Sequence, residues 1–169
     1  GKLPRNLVVT TVMSNMGLER CFAEVGIDLL RTPVGDRYVV EAMRREGAEL
    51  GGEQSGHVIC LEHSTTGDGI VTALQVLAVM IRRQRSLAEL AAVMTRFPQV
   101  SRSFAVARVC PLGELPRLQA EIRAVEGELR GEGRVVVRFS GTERKLRVMI
   151  EGRDEAEITS WVEQLGATA

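Results

Sequence analysis

A β-branched run, Leu7-Val8-Val9-Thr10-Thr11-Val12-Met13, gives way within two residues to helical spacing. That change of period, from extended to helical, narrows the fold more than any other feature of the chain. The run reads as a buried strand. Ser14 and Asn15 follow as helix caps, and Leu18, Cys21, Phe22 and Val25 then fall on one helical face. Gly26 stops that helix. Ile27–Arg31 repeats the strand signature and Thr32-Pro33 ends it. Val34-Gly35-Asp36-Arg37 leads into a second helix carrying Tyr38, Val39, Ala42 and Met43 inward, closed by Gly47. Strand, helix, strand, helix predicts an α/β layer with a mixed or parallel sheet.

Leu50-Gly51-Gly52-Glu53-Gln54-Ser55-Gly56-His57 breaks that rhythm with three glycines around a carboxylate, a hydroxyl and an imidazole. Val58–Leu61 after it reads as a strand, so the polar group occupies a strand-to-strand loop. Glu53 and Ser55 suit sugar hydroxyls, and His57 suits proton transfer near neutral pH. A glycine-rich turn with a structural histidine is the plain alternative. Asp68 is expected to cap the helix that follows, because no second carboxylate stands beside it to share a metal ion. His63 is expected at the surface. The helix over Ile70–Ile81 is apolar nearly all round and is expected to be buried. Ser86 and Glu89 form a capping box opening a helix with Leu87, Leu90, Ala91 and Met94 inward.

Phe97-Pro98-Gln99 breaks the pattern and divides the chain into residues 1–96 and 100–169. In the second part Val100–Val109 reads as a strand. Leu115, Leu118, Ile122, Val125 and Leu129 mark a helix face, with Pro116 in the first turn. Arg134–Phe139 and Leu146–Glu151 make a β-hairpin. A final helix is capped by Asp154 with Glu157 and packs through Ile158, Trp161, Val162 and Leu165. This predicts a small α+β domain, an antiparallel sheet with two helices on one face.

The hairpin turn, Arg138-Phe139-Ser140-Gly141-Thr142-Glu143-Arg144, suits an oxyanion. Gly141 admits close backbone approach, Ser140 and Thr142 bring hydroxyl donors, and Arg138 and Arg147 bring two-pronged charged contacts. An ordinary turn with solvated charges is the alternative. With 22 basic and 22 acidic residues the net charge is zero, which points away from a general nucleic-acid or membrane-surface binder. Cys21, Cys60 and Cys110 lack metal-binding spacing and read as buried free thiols in a reducing, cytoplasmic setting. No signal peptide is expected, and the longest apolar run, Val76–Ile81, is too short to span a bilayer.

Taken together, Gly51–His57 resembles the sugar-binding loop of the α-D-phosphohexomutases, and Arg138–Glu143 resembles their phosphate-binding loop. Val34–Val39, Thr65–Gly69 and Leu146–Gly152 resemble the same family in order and spacing, so the likeness covers essentially the whole chain. The Gly51–His57 form and Met13–Leu18 look most like its bacterial subgroup acting on glucosamine phosphates. One departure stands at Arg144, where the family usually has proline. That proline would fix φ, so the loop here is expected to be less rigid.

The resemblance implies domains three and four of a four-domain enzyme, with the sugar loop in 1–96 and the phosphate loop in 100–169. It implies glucosamine 6-phosphate and glucosamine 1-phosphate interconverted through bound glucosamine 1,6-bisphosphate. Substrate contacts fall to Gly35, Asp36, Arg37, Glu53, Ser55 and His57, with His57 and Arg37 beside the reacting group and His57 a candidate acid or base. Phosphate contacts fall to Arg138, Ser140, Gly141, Thr142 and Arg147. The chain has neither the phosphoserine segment nor the aspartate-rich magnesium loop of the family. The resemblance therefore implies Mg2+ bound outside these residues, N-terminal domains of the same chain as partners, and no activity for these residues alone. A homo-oligomer is compatible with it. The alternatives are a relative acting on mannose or glucose phosphates, and a sugar-phosphate binding module without catalysis.

Overall fold

The computed structural model describes residues 3–168, which divide after Arg96 into two compact units. The first unit holds β1 (Leu7–Thr11), α1 (Met16–Ala23), β2 (Asp28–Thr32), α2 (Asp36–Glu46), β3 (Leu50–Gly52), β4 (Val58–Cys60), α3 (Gly69–Arg83) and α4 (Leu87–Ala91). Its sheet runs β2-β1-β3-β4, with β1 parallel to both neighbours and β4 antiparallel to β3. Val9, Val39, Ala42, Met43, Ala48 and Ile59 are buried together, placing the core between the sheet and α2. That contact is close. A Cβ on Gly51 would come within 2.5 Å of Met43 Sδ and 2.8 Å of Val39 Cγ1, so only glycine fits beneath α2 there.

Local signals hold at the ends of elements. Asn15 caps α1 by accepting from Gly17 N, Asp68 caps α3 by accepting from Ile70 N and Val71 N, and Gly47 closes α2 left-handed. Ser86 and Glu89 make the reciprocal capping box of α4. Burial departs from expectation in several places. α1 ends at Ala23, so Val25 lies beyond it and is exposed. Tyr38 is also exposed, because it sits in the first turn of α2 ahead of the stripe that meets the sheet. α4 stops at Ala91, before Met94, and none of its residues is buried. α3 was expected to be buried, yet none of its residues is. Cys21 and Cys60 are only half-buried, while Cys110 is buried. Burial still pushes the Cys60 thiol upward.

The second unit holds β5 (Gln99–Ala105), α5 (Pro116–Leu129), β6 (Arg134–Phe139), β7 (Lys145–Glu151) and α6 (Glu155–Ala167). β5 is shorter than the expected 100–109 strand. The sheet is antiparallel in the order β5-β7-β6. Leu146, Val148 and Ile150 point to one face and form a core with Leu118, Val125 and Leu129 of α5 and Ile158, Val162 and Leu165 of α6. Trp161 is partly buried against that core. Both helices therefore share one face. The period of two puts Arg138, Arg147 and Glu151 on the other.

Candidate functional site

Because β1, β2 and β3 run parallel, their carboxyl ends share one sheet edge. Residues 12–15, 33–35 and 53–57 leave from that edge. In open α/β sheets this is the edge where ligands bind. A polar lattice stiffens it from below. The Thr10 hydroxyl bonds Ser14 Oγ and donates to Gly52 O at 2.8 Å, Thr32 Oγ1 donates to Thr10 O at 3.2 Å, and Arg31 donates to Ser14 O at 2.7 Å. Thr10, Thr11, Ser14 and Thr32 are all buried. The sequence reading gave these hydroxyls no role beyond strand and cap. Their signal was the match of Thr10-Thr11 with Thr32, which the parallel register brings side by side.

Residues 53–57 turn tightly between β3 and β4. Glu53 N donates to His57 O at 2.9 Å, and Gly56 N donates to Glu53 O at 3.1 Å. Gly56 sits at φ 103°, a conformation that disfavours a side chain. Three side chains then converge. Ser55 Oγ lies 2.7 Å from Glu53 Oε1 and 2.9 Å from His57 Nδ1, and His57 Nδ1 lies 3.2 Å from Glu53 Oε1. The hydroxyl has one proton and gives it to the carboxylate, which only accepts. His57 Nδ1 must then be the donor, so in the neutral ring Nε2 is the atom left to take a proton. The Glu53 side chain is 10% exposed and the His57 side chain 51%, so the imidazole stands outermost. Gly67 backs the ring, where a Cβ would stand 3.1 Å from His57 Cδ2.

Gly35 precedes α2 at φ 131°, and Asp36 and Arg37 form the first turn of that helix at the same sheet edge. Arg37 is exposed and donates to Glu41 Oε1 at 2.8 Å. That hydrogen bond is the main cause raising its pKa.

The hairpin of β6 and β7 presents a different chemistry. The register sets Arg138 directly opposite Arg147 on the face away from the helices. Like charges so placed repel. Both Nε atoms are buried without a hydrogen-bond partner among the described residues. Burial, and then the Arg147 charge, push the Arg138 guanidinium below its ordinary value. Glu143 takes up part of the local charge, meeting Lys145 Nζ at 2.5 Å and Arg147 Nη2 at 3.5 Å. Ser140 is buried and its N–H is spent on Lys145 O at 2.9 Å, so that amide is not free for an anion. Gly141 is not left-handed, and a Cβ there would meet nothing within 4 Å. The fold itself therefore places no demand for glycine at 141. Ser103 of β5 pairs with Arg147 on its other side, a neighbour the sequence reading did not single out. The period-two reading of the 100–109 strand contained the signal.

For a cation the residues here do not fit. Asp68 Oδ1 already accepts from two amides, and among the described residues no cluster of histidine, cysteine, aspartate or glutamate could hold a metal ion. Among the same residues no helix is long and apolar enough to cross a membrane.

A layered α/β unit with a polar loop at its carboxyl edge, followed by a hairpin with facing arginines, defines a class when set beside known proteins. Residues 1–97 match phosphoglucomutase/phosphomannomutase, alpha/beta/alpha domain III, and residues 77–167 match the C-terminal domain of the same family. The chain belongs to the phosphoglucomutase/phosphomannomutase family. Within it, the chain is 53% identical over 165 residues to a phosphoglucosamine mutase of Solidesulfovibrio magneticus, covering 98% of this chain and 37% of that protein. It is 54% identical over 162 residues to one from Sorangium cellulosum, covering 95% of this chain and 34% of that protein. The chain thus spans little more than a third of the length of these curated relatives. In fold it resembles the Aspergillus fumigatus N-acetylphosphoglucosamine mutase solved with GlcNAc-6P and magnesium. The TM-score is 0.79 at 21% identity, over 99% of this chain and 42% of that one.

Proposed function

We propose that this chain is the substrate-holding part of a mutase that interconverts glucosamine 6-phosphate and glucosamine 1-phosphate through a bound bisphosphate. The observation that carries the reading is the facing pair Arg138 and Arg147, with two buried Nε donors that no hydrogen bond among the described residues satisfies. Two cations held together in a half-buried place need an anion, and a phosphate dianion matches guanidinium donors in charge and geometry. Ser140 and Thr142 add hydroxyls, and Gly141 keeps the approach open.

The turn at the carboxyl edge supplies the second grip. Glu53 accepts from sugar hydroxyls, Ser55 orients it, and His57 Nε2 takes or returns a proton at the reacting end. Gly35, Asp36 and Arg37 at the start of α2 line the same edge. Phosphoryl transfer gains mostly from positioning and charge placement, and holding the non-reacting phosphate while fixing the sugar is positioning. The donor serine and magnesium belong, in this reading, to the part of the longer protein outside residues 1–169. These residues alone turn over no substrate. The names of the relatives at 53% and 54% identity favour the amino sugar over glucose or mannose.

The test is steady-state kinetics of the longer protein on glucosamine 1-phosphate, glucose 1-phosphate and mannose 1-phosphate. The expected result is the highest kcat/KM on the amino sugar. A higher value on another sugar overturns the substrate assignment. No turnover on any of the three leaves only a binding module.

A further inference from the structure

Arg31 stands on β2, an edge strand of the first sheet, yet its side chain is only 16% exposed and lies across the end of β1. Nη1 donates to Ser14 O at 2.7 Å and to Thr11 O at 3.4 Å, and Nη2 donates to Glu19 Oε2 at 3.0 Å. All three acceptors belong to the passage from β1 into α1. The half-exposed pair with Glu19 contributes little by itself. The two carbonyls are the informative partners, because holding them fixes backbone.

From Ser14 the hold runs on. Thr10 Oγ1 gives its one proton to Gly52 O at 2.8 Å, so the Ser14 hydroxyl must be the donor in its bond to Thr10. The bonds therefore point one way, from Ser14 to Thr10 to Gly52. Thr10 and Ser14 are buried, where a broken bond leaves a polar group that water does not repair. Gly52 is the last residue of β3, and Glu53 follows it directly into the turn. A Cβ on Gly52 would stand 2.6 Å from His57 O, so Gly52 lies against the far end of the turn as well. A shift at Gly52 is passed to both ends.

The geometry points to Arg31 as a positioning residue for the 53–57 turn. It acts through Ser14, Thr10 and Gly52 and not by touching a ligand. A lysine does not replace it, because one ammonium cannot fork between backbone carbonyls and a carboxylate. That Arg31 sets the turn rests on these bonds; that the turn then misplaces a sugar rests on the proposed function.

Hydrogen exchange in the longer protein, read over residues 52–57 with residues 39–43 of α2 as reference, tests it. Two variants cut the chain of bonds at different places, Arg31→Lys at the Ser14 carbonyl and Ser14→Ala at the hydroxyl. The expected result is several-fold faster exchange at 52–57 in each, with 39–43 as in wild type. The double variant should show no further gain, since changes along one path do not add. On glucosamine 1-phosphate, Arg31→Lys should lower kcat several-fold while KM stays within about twofold, the mark of a sugar held but misplaced. Exchange at 52–57 unchanged in Arg31→Lys, raised equally at 39–43, or additive in the double variant overturns the proposal. Exchange needs no turnover, so a wild-type protein inactive on every sugar would sink the functional reading and still leave this one decided.

Discussion

The 53–57 turn and the 140–144 turn each join two antiparallel strands over five residues, and they handle polarity in opposite ways. The first closes on itself, with Glu53, Ser55 and His57 each bonded to another of the three before any ligand arrives. The second is left unbalanced, with two arginines facing across the ladder and their Nε donors bare. A self-satisfied turn presents a preset pattern of acceptors and can read which hydroxyls a sugar carries. A frustrated one gains from any group of the right charge, so it holds without reading. On the proposed function, reading falls to the first turn and holding to the second.

That contrast can be broken most directly by truncating both sites in the longer enzyme. Arg138→Ala removes a charge-assisted contact to a dianion, a loss on the order of 1.5–3 kcal/mol, or roughly 10- to 150-fold in kcat/KM. Glu53→Ala is expected to cost less, about 1 kcal/mol, and to blur the preference among sugars. If Arg138→Ala stays within about twofold of wild type on glucosamine 1-phosphate, the phosphate assignment fails.

One chemical change placed in each turn sharpens the difference. Gly56→Ala forces a side chain onto φ 103° and should destabilise the protein by about 1–2 kcal/mol in denaturant titration. Gly141→Ala meets no atom within 4 Å and should leave stability unchanged while raising KM. Equal loss of stability at both positions contradicts the claim that only the first glycine serves the fold.

The imbalance itself predicts a gain. Arg138→Met removes the repulsion and one bare donor while keeping the stem. Without phosphate this variant should be more stable than wild type by roughly 0.2–1 kcal/mol, though less active. A smaller effect concerns Glu143, whose carboxyl is held below its usual value chiefly by the hydrogen bond from Lys145 and then by that residue's charge. The lower value in the fold means the contribution is present above the unfolded carboxylate pKa and lost as pH falls through the folded one. The stability gap between wild type and Glu143→Gln should therefore shrink on acidification. A gap that widens refutes the pairing.

Much of this was legible in the sequence because short-range chemistry decides it. Asp68, Asn15 and Ser86 cap as their spacing demands, and the alternation in 134–151 fixes which residues meet the helices. The facing of Arg138 and Arg147 was not legible, since register depends on the turn and on the partner strand. The bonds that tie Thr10 to Thr32 and to Gly52 were hidden for the same reason, being made only when β1 pairs with β2 and β3. α3 shows the limit from the other side. Its sequence is apolar nearly all round, yet none of its residues is buried, so an apolar pattern alone did not predict burial.

At the far end of the same hairpin, Arg134 and Glu151 sit opposite each other as an ion pair, with Glu151 fully buried. They act as a latch. A one-residue slip of β6 against β7 would move Arg138 toward the helix-packed face and part Arg134 from Glu151 at once. The repulsion at the turn pushes toward such a slip, and the latch resists it. For the evolution of this segment the two parts of the hairpin are therefore unequal. The turn carries no pairing of its own to preserve, while an insertion or deletion within 134–139 or 145–151 would shift the register that pairs Arg134 with Glu151.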